Sequence, residues 1–366
     1  MRILLLASGN DIHSVRWANQ LSENGNEVHL CYSSNHKPSV DKFSKDVYLH
    51  ELLVPAPYGY YMNVLQLKTI ISSVRPDVLN AHYSSGYGTL GRLVNFSPYL
   101  ISVYGSDVYD FPYSSKRNMK LIKKNLNAAS ALASTSYAMA NQTSKLIGCL
   151  ASDIYITPFG VEVEKFYKKS TKKNINTIII GSIKKLSPKY GIKYGILAIY
   201  YLINNFLGNQ QDLKIKYYIY GEGEEKSSLE KLVNECNLQD IVEFKGRVPN
   251  DIVPDALNEL DIFLGTSVLD SESFGVAIVE AMACEVPVIV SDVDGFKEVV
   301  DYGEAGILVP RKDYKAMAKE IYNLFKNPEL CHKMGKAERK RVIEKFNWID
   351  NVKEMERVYQ SLSGKK

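Results

Sequence analysis

No uninterrupted apolar run in this sequence approaches the roughly 20 residues needed to span a bilayer, so no membrane-crossing helix is expected. No Cys-x-x-Cys pair occurs among Cys31, Cys149, Cys236, Cys284 and Cys331. Their odd number and wide spacing argue against a structural zinc or a disulfide framework, and a reducing cytoplasm is the expected setting. Gly-x-Gly-x-x-Gly after an expected strand is missing, as is any Walker loop, so nicotinamide and ATP chemistry lack their usual phosphate cradles. Tandem repeats and low-complexity blocks are also absent. The apolar start, residues 1–7, stops at Ser8-Gly9-Asn10-Asp11, too short for a signal-peptide core, and reads as a buried strand.

What is present is a chain of 366 residues, 45% hydrophobic and 23% charged, a globular composition long enough for two domains. Short apolar runs alternate with amphipathic stretches, which predicts βαβ units and parallel sheets. Strands are expected at 2–7, 27–32, 78–81 and 99–104, with a helix over 14–24 that stops at Gly25. After the polar, basic stretch 168–176 the rhythm restarts. Strands are expected there at 177–181, 215–221, 241–245, 262–265 and 287–291, and helices at 190–207, 226–236, 276–284 and 314–326. The division is an N-terminal domain 1–168, a linker 169–176 and a C-terminal domain 177–345, with 346–366 crossing back to the first.

The sharpest feature is Ser271-Glu272-Ser273-Phe274-Gly275-Val276, which runs from a polar loop into an apolar helix, with Glu280 seven residues beyond Glu272. Ser271 or Ser273 can cap that helix and leave its first N–H groups for an anion or a sugar hydroxyl. Glu280 inside an apolar helix needs a polar partner, such as a ribose diol. A second feature is Gly181-Ser-Ile-Lys184-Lys185-Leu-Ser-Pro-Lys189, which follows the first strand of the second half. Gly221-Glu222-Gly223 reads as a tight turn after another strand.

With Ala-Met-Ala-Cys284 and Pro287-Val-Ile-Val following it, the Glu272 to Glu280 run resembles the E-x7-E donor signature of the retaining glycosyltransferases of family 4, whose GT-B fold sets two Rossmann-like domains about a central cleft. The resemblance covers nearly the whole chain and is strongest over 177–311. It implies that Glu272 hydrogen-bonds the transferred sugar and that Glu280 takes the ribose. The backbone of Phe274 and Gly275 would meet sugar and phosphate, with Ser273 and Val276 as further donor-binding candidates, and Lys184 and Lys189 would meet the pyrophosphate. Lys184 stands where the family usually has Arg, and it supplies a point charge without the bidentate fork. Gly181, Gly221 and Gly223, with Arg247 and Val248 in the base-reading segment, complete the expected donor-binding set.

On the acceptor side, Tyr104-Gly105-Ser106-Asp107 resembles the family's His-Gly-x-Asp segment, with Tyr104 in place of the histidine and Asp107 as a catalytic candidate. Gly9, His13 and His82 are further acceptor-side candidates. The implied reaction moves a sugar from a nucleotide sugar, UDP-linked before GDP-linked, to a glycan or polyprenyl-diphosphate-linked acceptor, without metal or other cofactor. The alternative is a non-catalytic sugar-nucleotide-binding partner of another glycosyltransferase. Residues 1–170 carry 17 basic against 12 acidic side chains, whereas 171–366 carry 28 against 29. The excess includes Lys116, Arg117, Lys120, Lys123 and Lys124, beside Tyr109, Phe111 and Tyr113. It suits an anionic acceptor or a membrane inner face, and no nucleic-acid partner is expected.

Overall fold

The structure is a computed structural model that describes residues 1–170, 177–207 and 214–364. It divides into two compact units, Met1–Pro158 with Ile349–Lys366, and Phe159–Trp348. Most of the expected linker, residues 171–176, lies outside the described residues.

The first unit holds a seven-stranded parallel sheet made of β1 (Arg2–Leu6), β2 (Glu27–Ser33), β3 (Val47–Leu52), β4 (Val78–His82), β5 (Tyr99–Val103), β6 (Ala131–Ser134) and β7 (Ile154–Ile156). Their order is β3-β2-β1-β4-β5-β6-β7. β1 carries Ile3, Leu4, Leu5 and Leu6 in succession, all fully buried, as a central parallel strand covered on both faces must be. The chain runs outward from β1 to β3 and then returns to the other flank of β1 as β4. That reversal opens a crevice at the carboxyl ends of β1 and β4. The returning helix Trp348–Ser363 contributes a buried Tyr359, whose hydroxyl accepts from Asn80 Nδ2 at 2.8 Å, and Glu356, which accepts from Asn24 and Asn26.

The second unit holds a six-stranded parallel sheet made of β8 (Thr177–Ile183), β9 (Lys214–Tyr220), β10 (Val242–Gly246), β11 (Ile262–Gly265), β12 (Val288–Ser291) and β13 (Ile307–Val309). The order is β10-β9-β8-β11-β12-β13, so the reversal here lies between β8 and β11. The loops that leave those two strands therefore share one crevice.

The expected strands all form. β3, β6, β7 and β13 were not expected: β7 and β13 have three residues each, and β6, Ala-Leu-Ala-Ser, is too short and small to show a pattern. The helix expected over 190–207 begins later. Pro188–Tyr190 forms a 3-10 turn, Gly191 turns left-handed at φ 59°, and the α-helix Ile192–Leu202 gives way to a π-turn over Ile203–Leu207.

Candidate active site

The geometry of the second-unit crevice starts from its glycines. Gly221 has φ 148°, and any Cβ there would run into the Lys184 carbonyl, while a Cβ on Gly223 would meet the Leu186 carbonyl. Both lie immediately after β9, and their missing side chains let the 184–186 loop lie against this chain. The contact is stitched by Lys184 N–H to Tyr220 O at 2.9 Å and Leu186 N–H to Glu222 O at 3.0 Å. The pair expected to touch the donor thus sets the height of the lysine loop.

The far end of that loop is fixed by the chain after β11. Val268 N–H donates to Lys189 O at 2.9 Å and Thr266 Oγ1 donates to Tyr190 O at 2.8 Å. A Cβ on Gly191 would collide with Thr266 O. The loop expected to carry pyrophosphate-binding lysines and the loop expected to carry Glu272 are therefore one hydrogen-bonded body.

Within it the charges meet. Lys184 Nζ donates to Glu272 Oε1 at 2.8 Å, and Lys189 Nζ donates to the Ser271 carbonyl at 2.9 Å. The Tyr190 ring lies beside both ammoniums, 4.8 Å from Lys184 Nζ and 5.5 Å from Lys189 Nζ to its centroid. Glu272 is 7% exposed. Burial works against the Lys184 ammonium, but Glu272, Tyr190 and Glu280 outweigh it and hold its pKa above the ordinary lysine range. Glu280, half-buried on the helix Val276–Ala283, is thus close enough to act on the same cation.

That helix starts differently from the expectation. Its N-cap is Gly275 at φ 88°, with no side-chain cap, so neither Ser271 nor Ser273 performs that role. A Cβ on Gly275 would strike the Phe296 ring, which explains why the turn takes a glycine. Ile278 N–H and Val279 N–H donate to the Gly275 carbonyl at 3.0 and 3.3 Å, so the helix opens through a bare glycine turn. Phe274 is buried edge-on against Phe159 and Phe346, at 6.1 and 5.4 Å between centroids. It anchors the loop, and Phe159 is one of its packing partners.

Four supports escaped the sequence reading. Tyr190 carried no motif weight. A Cβ on Gly295 would hit the backbone of Glu272 and Ser273, so its absence lets the short helix Asp294–Val299 close on the loop. Arg311 bridges Asp270 at 2.8 Å and Asp292 at 3.3 Å, and Asp270 also accepts from Asp294 N–H. Finally, the metal-free expectation took the sequence to hold no Asp-x-Asp motif, and Asp292-Val293-Asp294 corrects it by having that spacing. Here Arg311 engages Asp292 and Lys297 engages Asp294 at 3.2 Å.

The other donor-side candidates are placed less directly. Gly181 lies within β8, where a Cβ would meet the Leu260 side chain, so packing alone accounts for it. Arg247 and Val248 follow β10, with Arg247 exposed. A small cavity in the second unit is lined by Ile183, Lys184, Tyr190, Thr266, Gly275 and Ala277, while Glu272, Glu280 and Lys189 lie outside its lining.

In the first unit His13, His82 and Tyr104 gather at the ends of β1, β4 and β5. The His82 and Tyr104 rings meet edge-on at 5.1 Å. Burial, helped by nearby His13, pushes His82 down to about 3, so it is neutral at physiological pH. Its Nδ1 has no hydrogen-bond partner among the described residues. Burial raises Tyr104 well above the usual phenol range, and it too is uncharged. Gly9 allows the loop after β1 to touch the His36 carbonyl and Pro38. Both oxygens of Asp107 accept from backbone: one from Ser84 N–H at 2.7 Å, the other from Tyr104 and Gly105 N–H at 3.1 and 3.0 Å. Its geometry is that of a clamp on two loops.

Residues 163–341 match the family model described as glycosyl transferases group 1, and residues 2–136 match glycosyl transferase 4-like. The chain is 24% identical over 362 residues to N-acetyl-alpha-D-glucosaminyl L-malate synthase of Bacillus anthracis, covering 96% of this chain and 93% of that one. Sucrose-phosphate synthase from Thermosynechococcus elongatus superposes with a TM-score of 0.85 at 20% identity, over 100% of this chain and 99% of the other. Anabaena HepE in complex with UDP-glucose superposes at 0.79 and 18% identity, over 99% and 100%.

Proposed function

The chain belongs to the group 1 glycosyltransferases of the GT-B fold, and from that premise we propose that it transfers a sugar from a UDP-sugar, with retention of anomeric configuration, to a hydroxyl of a glycan or polyprenyl-diphosphate-linked acceptor. The observation that carries this reading is that Glu272, Lys184, Lys189 and the uncapped start of Val276–Ala283 lie on hydrogen-bonded loops at the carboxyl ends of β8 and β11. Two ammoniums and a helix N-terminus are what a departing diphosphate needs. As the anomeric bond breaks, negative charge grows on the leaving oxygen, and a single well-placed donor there contributes roughly 3 kcal/mol. The acceptor hydroxyl attacks the face the diphosphate leaves, and the departing phosphate accepts its proton. Glu272 hydrogen-bonds the sugar, and Glu280 holds the ribose. None of these steps calls on a metal.

UDP is favoured because the HepE structure was obtained with UDP-glucose, a likeness of fold that supports the choice of nucleotide only by analogy. The first unit supports work at an anionic surface, such as the inner face of a membrane where surface glycans are assembled. The helix Lys116–Ala128 presents Lys116, Lys120, Lys123 and Lys124 along a groove, with Tyr113 exposed beside it. Beyond the helix Gly86–Val94, which packs against both, Tyr61, Met62 and Leu65 are also exposed.

Purified protein is expected to release UDP from a UDP-sugar only with a hydroxylated acceptor, and NMR of the product should show the donor's anomeric configuration. Glu272→Ala and Lys189→Ala should lower turnover at least about a hundredfold with the fold intact. Donor binding without transfer across a broad screen would replace this reading with that of a non-catalytic binding partner.

A further inference from the structure

The Lys184–Glu272 contact is more than a structural ion pair. Its two members are the cation expected at the diphosphate and the carboxylate expected at the sugar, and in the resting protein each occupies the other. Lys184 has no second carboxylate at ion-pair distance among the described residues, and its ammonium is held toward Glu272 by the Tyr190 ring on its flank. Lys189, by contrast, is bonded to the Ser271 backbone carbonyl. The two lysines therefore differ. Lys189 is tied to the loop, whereas Lys184 can exchange one anion for another without breaking any backbone bond.

We propose that the Lys184–Glu272 ion pair is a resting-state latch that the donor's diphosphate opens, drawing Lys184 onto phosphate and releasing Glu272 for the transferred sugar. This rests on the donor-site reading above and deepens it. A carboxylate held by its own lysine is unavailable to other ligands, and an isolated sugar carries no anion with which to displace it. A diphosphate carries two negative groups and competes for the ammonium directly. The arrangement makes the site respond to the nucleotide first and to the sugar second. It also predicts an opposition between binding and catalysis at one residue. Removing the charge of Glu272 frees Lys184 for phosphate, so nucleoside diphosphate binds more tightly while transfer is lost.

The test is calorimetric titration of UDP and of GDP into the parent, Glu272→Gln, Lys184→Met and the double variant, with Glu272→Ala as a second removal of the charge and circular dichroism to confirm folding. The latch predicts that Glu272→Gln binds UDP about tenfold tighter than the parent, a shift of about 1.4 kcal/mol. It also predicts that the gain vanishes in the Lys184→Met background, because there is no cation left to release. Unchanged or weaker binding by both Glu272 variants overturns the latch, as does a gain that persists without Lys184, which marks simple removal of a repelling charge. In either case, UDP binding by the parent leaves the donor-site reading standing. If neither nucleotide binds the parent, both fall.

Discussion

At the residue scale the informative side chains are those whose charge the fold has to answer for. Glu338, on the helix Pro328–Lys345, is fully buried and uses one oxygen to accept from Val288 N–H at 3.1 Å, at the start of β12, while its other oxygen has no partner among the described residues. Burial pushes its carboxyl well above the usual carboxylate range, and the Val288 hydrogen bond only partly opposes that. An acid whose folded pKa is raised stays protonated in the folded chain while the unfolded chain ionises. Stability is therefore fully present below the unfolded value of about 4.5 and falls as pH rises through the folded one. Glu338→Gln escapes this dependence, so its melting temperature relative to the parent should climb between pH 5 and pH 8. Glu338→Ala escapes it too, but from a level about 1–3 kcal/mol lower, because Val288 N–H is left unanswered. A variant-to-parent difference in thermal unfolding that is flat with pH would show that Glu338 is ionised in the fold.

At the element scale the site is a product of strand ends and missing side chains. β8 and β11 are neighbours in the sheet and distant in sequence, and the loops leaving them are bound to each other through Thr266, Val268, Lys189 and Tyr190. Gly221 and Gly223 hold the lysine loop at its height from the β9 side. Gly221→Ala is both strained at φ 148° and obstructed by the Lys184 carbonyl, so the loop must move. Titration of UDP should show affinity reduced at least about tenfold, with destabilisation of about 1–3 kcal/mol in thermal unfolding. Undiminished affinity would remove the glycines from the positioning of Lys184.

At the scale of the whole molecule, each unit has its own buried core and its own crevice at a strand-order reversal. The charge is divided between them, with the basic excess in the first 170 residues. If that excess serves an anionic surface, reversing Lys120 and Lys124 to Glu together should weaken binding to phosphatidylglycerol vesicles by about tenfold or more, at roughly 1 kcal/mol per basic residue near the surface. Added salt should weaken the parent in the same direction. Sedimentation with vesicles that is indifferent to both changes would assign the lysines to solvation alone.

The sequence by itself determined the class of fold, because alternating apolar runs and amphipathic stretches leave few architectures other than doubly wound parallel sheets. It also marked Glu280, since a carboxylate inside an apolar helix demands a partner, while Glu272, Lys184 and Lys189 were marked by their resemblance to the family's donor-site segments. Only the tertiary structure decided that Lys184 and Glu272 hold one another, that Tyr190 lies beside both lysines, that Gly275 opens its helix without a serine cap, and that Asp107 accepts backbone N–H bonds from two loops. The physical reason is common to all four. Each depends on a partner brought near by sheet order or by a glycine's missing Cβ, and spacing along the chain carries no record of either.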